Sequence, residues 1–220
     1  FLIFIIILLA SIKVVDPDQQ LLFRRNDGNI VKNGPFTAVV WPHERMERRE
    51  AERLGEREYA VVKDERMQTL RHHSEAGLVF LGPYEVLVEV KPKVVLQKKE
   101  YIRLVDKMTG AERIVNGPVT LVPKPLEEAP KDVEQSLVVG ATNAILVENK
   151  TSGMKRLITQ KGMFVPAPYE HIIRQTQATL LEPNQYAVVK DTLTGRVRNE
   201  LGPQLLQVGP YERLFNVTPR

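Results

Sequence analysis

Cysteine is absent from this chain of 220 residues. Its absence excludes disulfide scaffolds, cysteine-ligated zinc, iron–sulfur clusters and thiol catalysis. Aromatic residues make up only 6% of the sequence, and 31 basic residues against 27 acidic ones leave a net charge of +4. The basic doublets Arg24-Arg25 and Lys98-Lys99 have no aromatic side chains interleaved with them, so we expect no nucleic-acid partner.

The motifs that mark the common catalytic and nucleotide sites are also missing. P-loop, dinucleotide-binding, zinc-protease, serine-hydrolase and EF-hand patterns do not occur. The adjacent His72 and His73 would point to opposite faces of a strand, which is awkward for chelating a metal. We therefore expect no catalytic, cofactor-binding or metal-binding residue, and no enzyme activity.

An unbroken apolar run, FLIFIIILLA, occupies residues 1–10, and its apolar character extends to Ile12. As a helix, this stretch would rise about 18 Å, less than the roughly 30 Å of a bilayer core. Three interpretations stay open: part of a transmembrane helix, a signal-peptide core, or a β-rich segment inserted into a neighbouring subunit's groove. In each interpretation, another apolar surface covers the run, which cannot stay exposed to water. The expected anchor or assembly residues are Phe1, Leu2, Ile3, Phe4, Ile5, Ile6, Ile7, Leu8 and Leu9.

Five similar segments of about 42 residues follow this run. Each closes on a glutamate after a proline-containing corner, and these glutamates are spaced 41, 42, 43 and 42 residues apart. Such a small drift in spacing indicates tandem repeats. The closing residues are Glu44, Glu85, Glu127, Glu170 and Glu212.

Each repeat has the pattern of antiparallel β-structure. In the last one, the β-prone run 186–189 precedes the turn Asp191–Gly195, in which aspartate can bond its own backbone and glycine accepts a positive φ. A return strand at 196–200, a Gly-Pro pair and an apolar strand at 204–208 follow. The sequence therefore predicts an all-β fold, a tandem array of about five antiparallel repeats that bury a continuous core between neighbours. A short helical or strand segment, the apolar run, precedes the array.

The corners between strands are the main candidate structural sites. We expect their glutamates to bond backbone N–H groups rather than to act as acids or bases. Their tyrosines should pack within their own repeat or, alternatively, bring a hydroxyl within reach of a partner. A positive φ at Gly202 would make its replacement by valine strain the backbone. The expected corner residues are Gly34, Pro35, Gly82, Pro83, Tyr84, Gly117, Pro118, Pro168, Tyr169, Gly202, Pro203, Pro210 and Tyr211.

A charged stretch interrupts the pattern, because eleven of the 15 residues at 44–58 are charged. It is interpreted as a solvated connector or edge strand, or alternatively as an electrostatic strip that sets register with a partner. The predicted segments are an anchor at 1–13, repeats at 14–44, 59–90, 91–133, 134–175 and 176–220, and the charged connector at 45–58.

The cycle of short β units with Gly-Pro and Pro-Tyr-Glu corners resembles the structural repeats of the major vault protein family. The resemblance covers about 16–218 and is strongest at Gln177–Tyr186. The vault shoulder domain and cap helix are not found here, and the vault family has no apolar N-terminal anchor. The resemblance implies a β-repeat fold for this chain.

Together, these features predict a membrane-associated, non-enzymatic scaffold that self-associates. The expected partners are other copies of the chain and, for the apolar run, a bilayer or a neighbouring subunit's groove. The alternative is a membrane-tethered adaptor that binds another protein through a repeat face.

Overall fold

The computed structural model describes residues 12–39 and 44–219. All regular elements in those two ranges are β-strands, which confirms the predicted all-β class. The predicted anchor residues 1–9 lie outside the described ranges. Within the part of the chain that the structure describes, there is no helix long and apolar enough to cross a membrane.

The strands are short and follow one another closely. The first thirteen are β1 (Ile12–Val15), β2 (Gln19–Arg24), β3 (Ile30–Asn33), β4 (Phe36–Val39), β5 (Arg45–Glu50), β6 (Glu52–Leu54), β7 (Glu58–Asp64), β8 (Thr69–His73), β9 (Gly77–Val79), β10 (Glu85–Pro92), β11 (Val94–Leu96), β12 (Glu100–Asp106) and β13 (Glu112–Asn116). The others are β14 (Val119–Leu121), β15 (Glu127–Glu128), β16 (Glu134–Gln135), β17 (Leu137–Val139), β18 (Asn143–Asn149), β19 (Lys155–Ile158), β20 (Gly162–Phe164), β21 (Glu170–Gln177), β22 (Thr179–Leu181), β23 (Gln185–Asp191), β24 (Val197–Leu201), β25 (Gln204–Leu206) and β26 (Glu212–Pro219).

The chain divides into two compact units, the first within Phe1–Val95 and Thr120–Glu127, the second within Leu96–Val119 and Glu128–Arg220. In the first unit, the three-stranded sheets β3-β2-β5 and β8-β7-β10 accompany the two-stranded sheets β1-β4 and β6-β9. In the second unit, the sheets β19-β18-β21 and β24-β23-β26 accompany β17-β20 and β22-β25, and β12 pairs with β13 and β16. All of these pairings are antiparallel, and their recurrence supports a repeat-like sheet fold.

In three of the three-stranded sheets, β8-β7-β10, β19-β18-β21 and β24-β23-β26, the central strand begins a hairpin and also pairs with the strand after a Pro-Tyr-Glu corner. In the last repeat, Tyr186 lies opposite Leu201 of β24 and Thr218 of β26. A register shift between Val188 and Val189 marks a β-bulge against β26. This arrangement places the hairpin and the corner next to each other.

The core consists of small clusters in which a two-stranded sheet covers a central strand. In the last repeat, Leu181 and Leu206 of the two-stranded sheet pack with Ala187 and Val189 of β23. A separate cluster of Val139, Ile145 and Val147 serves the preceding repeat. The expected continuous core between neighbouring repeats stays a prediction. A third cluster contains Leu54, Ala60, Val62 and Val79.

The charged stretch is strand rather than loop. β5 pairs with β2 over its whole length, from Gln19 opposite Glu50 to Arg24 opposite Arg45. β6 pairs with β9, and its Leu54 is buried in a core cluster. Residues 45–54 therefore fit the edge-strand interpretation of this stretch.

Candidate functional site

Four of the hairpins are closed by a side chain at the end of their central strand. Asp106 Oδ1 accepts hydrogen bonds from the backbone N–H groups of Met108 and Thr109, at 2.8 and 2.9 Å. Gly110 then takes a φ of +70°, as Gly195 does with +73° in the last repeat. This confirms the predicted turn chemistry. Equivalent bonds are made by Asp64, Asn149 and Asp191.

The glutamates that close the corners bond to the backbone, as predicted. Glu85 Oε2 accepts a hydrogen bond from the N–H of Gly82, three residues earlier, at 2.7 Å. The Gly82 carbonyl in turn accepts from the N–H of Glu85 at 3.2 Å. The same side-chain bond joins Lys124 to Glu127, Ala167 to Glu170, and Gly209 to Glu212.

An arginine of the return strand neutralises three of these glutamates, always from fourteen residues upstream. Both carboxylate oxygens of Glu85 accept from the Arg71 guanidinium, at 2.5 and 2.6 Å. The Arg71 hydrogen bond lowers the pKa of Glu85, burial opposes this, and the Gly82 N–H lowers it further, with a net decrease. The equivalent pairs are Arg156 with Glu170 and Arg198 with Glu212.

The corner tyrosines join consecutive hairpins. The hydroxyl oxygen of Tyr84 accepts a hydrogen bond from the backbone N–H of Asn29, 55 residues upstream, at 3.0 Å. Tyr211 accepts in the same way from Lys155 at 2.8 Å. These hydroxyls reach the preceding repeat, so the alternative interpretation of the tyrosines is the one that fits. Tyr169 makes the equivalent bond to the N–H of Glu112 at 3.2 Å.

The backbone of each corner tyrosine is bonded as well. The Tyr211 carbonyl accepts from the N–H of Thr192 at 2.8 Å and from the Thr192 hydroxyl at 2.5 Å. The hydroxyl of Tyr211 bonds to the preceding repeat, and its carbonyl bonds within its own repeat. The tyrosine therefore fixes the spacing of two hairpins. In the third repeat, Leu126 stands at the tyrosine position and provides no hydroxyl. The Tyr84 and Tyr169 carbonyls accept equivalent bonds from Glu65 and Lys150.

The corner at Tyr169 carries a connected polar network. Glu112 Oε2 accepts from the N–H of Tyr169 at 2.9 Å and from the Arg103 guanidinium at 2.5 Å. Burial raises the pKa of Glu112, but the Tyr169 N–H and Arg103 lower it more, so the net shift is downward. Arg103 also donates to the Glu170 carbonyl at 2.6 Å. Tyr169 itself has a φ of +64°, which is unusual for a residue with a side chain.

The three predicted Gly-Pro corners lie between a return strand and the strand of the following two-stranded sheet. Gly34-Pro35, Gly117-Pro118 and Gly202-Pro203 have cis peptide bonds. Gly202 is not among the glycines with a positive φ, so the strain mechanism predicted for it is wrong. A Cβ atom there would instead lie 2.0 Å from the Glu182 carbonyl oxygen. The other predicted corners also lie between strands: Gly82, Pro83 and Tyr84 precede β10, Pro168 and Tyr169 precede β21, and Pro210 and Tyr211 precede β26.

The two-stranded sheets of the second unit expose aliphatic pairs on their outer faces. Leu180 lies opposite Leu205, and these residues are 69% and 46% exposed. Val138 lies opposite Met163, and both are about half exposed. The neighbours Leu181 and Val139 point the other way and are buried. These four exposed side chains, two on each sheet, are together called the outer aliphatic patch: Val138, Met163, Leu180 and Leu205.

A charged groove lies in the second unit, where the last two repeats meet. It has two adjoining parts of about 390 and 420 Å³, and both are lined by Leu146, Arg174, Glu212 and Arg213. Leu146 is nearly fully buried, whereas both arginines are exposed. We call this feature the Arg174–Arg213 groove.

The buried acid–base chemistry outside the corners is limited. The Tyr101 hydroxyl donates to Glu134 Oε2 at 2.5 Å and connects β12 to β16. Burial raises the pKa of Tyr101, and the bond to Glu134 raises it further, so the hydroxyl stays protonated. His72 is half-buried and donates to the Pro123 carbonyl at 2.7 Å. Among the described residues, no group of three histidines or carboxylates could hold a metal ion.

Three features were missed by reasoning from the sequence: the upstream partners of the tyrosine hydroxyls, the arginines that pair with corner glutamates, and the groove. The fourteen-residue spacing from Arg71 to Glu85, repeated from Arg156 and Arg198, was a usable signal for the second. No protein-family model and no curated protein matches this chain. The resemblance to vault repeats therefore depends on the residues of this sequence alone.

Proposed function

We propose that this protein is a non-enzymatic scaffold of vault-like β-repeats that is anchored through its apolar N-terminus and self-associates. The observation that carries the proposal is the outer aliphatic patch. Fully burying a leucine or valine side chain contributes about 1.5–3 kcal/mol, and the patch offers four large side chains that are about half or more exposed. A self-associating surface would remove them from water.

The joints between repeats support a structural role. A tyrosine that bonds both the upstream hairpin and its own turn holds two repeats in a fixed relation. Within a repeat, the corner glutamates and their bidentate arginine partners hold the corner against the return strand, since such pairs have a defined geometry.

The apolar run at 1–10 is the proposed anchor. Its eight or nine large side chains, at about 1.5–3 kcal/mol each, match or exceed the roughly 5–15 kcal/mol net stability of a whole domain. Lipid or a groove on another copy would accommodate them, which makes membrane association part of the proposal. Deleting residues 1–10 should release the protein from membranes while leaving the sheets folded, as measured by flotation and circular dichroism.

Light scattering and negative-stain imaging of purified protein test self-association. The variant Leu180→Lys should dissociate the assembly, because it places a charge in the outer aliphatic patch. Leu193→Lys is the matched control, since Leu193 is equally exposed, at 69%, but lies on a hairpin turn. If wild-type protein is a monodisperse monomer, or if both variants assemble normally, the proposed surface is wrong.

The second candidate function is a membrane-tethered adaptor that binds another protein through a repeat face. The Arg174–Arg213 groove favours it, because exposed charged side chains line a concave surface there. A small, monodisperse species that captures a ligand at this groove would favour the adaptor over the scaffold.

A further inference from the structure

The Arg174–Arg213 groove has an apolar floor and a polar rim. Leu157, Leu146 and Arg174 lie opposite one another across strands β19, β18 and β21, so they form one row on a sheet face. The corner before β26 closes the other side, with Val208 and Leu214. The polar side chains on the rim are Lys155, Gln175, Thr176, Gln177, Thr179, Thr192 and Gln207.

The groove carries positive charge that its own residues do not neutralise. In the described part of the chain, the guanidinium groups of Arg174 and Arg213 have neither an ion pair nor a hydrogen bond. The Arg213 guanidinium lies 5.9 Å from the centre of the Phe215 ring. Glu212 is the one carboxylate in the lining, and Arg198 and the Gly209 N–H already bind it, at 2.8 Å each.

The repeats themselves indicate that these two arginines are not needed for the fold. Arg71, Arg156 and Arg198 each stand fourteen residues before a closing glutamate and pair with it. Arg174 and Arg213 follow their glutamates by four residues and one residue. The second repeat has Val86 and Glu89 at these two positions, so its sheet forms without either arginine, whereas the first repeat has Arg45 and Arg48 there and Arg48 donates to the Val14 carbonyl.

We infer that the Arg174–Arg213 groove binds an extended acidic peptide segment, a ligand class independent of the proposed self-association. Guanidinium groups take carboxylates through paired, charge-assisted hydrogen bonds. The glutamine side chains carry both donors and acceptors, which suit the alternating N–H and C=O groups of a peptide backbone. The apolar floor accommodates the aliphatic parts of the ligand's side chains. A groove with two arginines and amides on its rim suits spaced carboxylates on a chain better than a single compact anion.

Fluorescence anisotropy of the full chain with a short labelled peptide of alternating glutamate and serine tests the inference. The matched peptide has glutamine for glutamate, and the competitor is inorganic tripolyphosphate. The variant pair Arg174→Ala and Arg213→Ala should weaken binding of the acidic peptide by about tenfold or more. The control pair Arg196→Ala and Lys161→Ala removes the same charge outside the groove and should stay within about twofold of wild type.

Three results would overturn the inference. The first is equal binding by the groove variant and wild type, and the second is an equal loss in the control pair, which would show non-specific attraction. The third is binding of tripolyphosphate without binding of the peptide, which would make the groove a phosphate site. Circular dichroism melts check folding, and the glutamine variants Arg174→Gln and Arg213→Gln give the same readout if the alanine pair is unstable.

Discussion

Replacing Gly202 by alanine tests how closely the chain approaches itself at the Gly-Pro corner. The new Cβ would lie 2.0 Å from the Glu182 carbonyl oxygen and 2.7 Å from its carbonyl carbon. Both atoms belong to the backbone, so no side-chain rotation relieves the overlap. The Gly202 N–H also donates to the Gln185 carbonyl at 3.0 Å, and moving Gly202 away would break that bond.

The expected cost follows from these two effects. Overpacking in a tight site costs about 1–3 kcal/mol, and a lost backbone hydrogen bond adds about 0.5–1.5 kcal/mol. We therefore expect Gly202→Ala to lower the free energy of unfolding by about 1.5–4.5 kcal/mol, a large share of a typical net stability of about 5–15 kcal/mol. For a chain of this size, the melting temperature should fall by roughly 3–18 °C.

Circular dichroism melts and urea titrations measure this loss, with Gly195→Asn as the control. Gly195 has a φ of +73°, but a Cβ added there would have no atom within 4 Å, and asparagine tolerates that conformation. The control should lose less than about 1 kcal/mol. If Gly202→Ala melts as the control does, close backbone approach is not what makes this glycine necessary.

Three further predictions concern the hydrogen bonds at corners and turns. Tyr211→Phe should cost about 0.5–1.5 kcal/mol and speed amide exchange at Lys155, and unchanged exchange would refute the joint. Because Arg71 holds the folded pKa of Glu85 below its unfolded value, the stability from this pair is present above pH about 4.3 and lost on acidification. Urea titrations should therefore show Glu85→Gln to be less stable at neutral pH and less sensitive to acid, whereas an acid limb like that of wild type would contradict this. Asp64→Ala should lower thermal stability by about 1 kcal/mol by removing two turn bonds, and Asp64→Asn should retain most of it.

The local chemistry of turns and corners could be predicted from the sequence. Asp106 and Gly110 specify a hairpin because their side-chain bond and positive φ depend only on residues within the turn. The same holds for Glu85, whose backbone partner is three residues away. Gly202 was recognised as special for the wrong reason, since the constraint comes from Glu182, twenty residues upstream.

The longer-range features could not be predicted in the same way. The partner of the Tyr84 hydroxyl is 55 residues upstream, and only the packing of one hairpin on another brings them together. The charged composition of 45–50 also hides the strand pattern, because Met46, Glu47 and Arg49 are all half-buried although two of the three are charged. Pairing with β2 therefore stabilises this strand, which local propensity alone does not predict.

A repeat protein contains its own controls for separating structural from functional residues. Arg71, Arg156 and Arg198 stand in equivalent positions and each binds a corner glutamate, so their charge is neutralised within the fold. Some arginines outside that equivalence also bond within the fold, as Arg48 and Arg103 do. Arg174 and Arg213 stand outside it without such a bond in the described part of the chain, and the fold brings them to the same groove. Positions that depart from the repeat are therefore where selection for a ligand would act without disturbing the sheets.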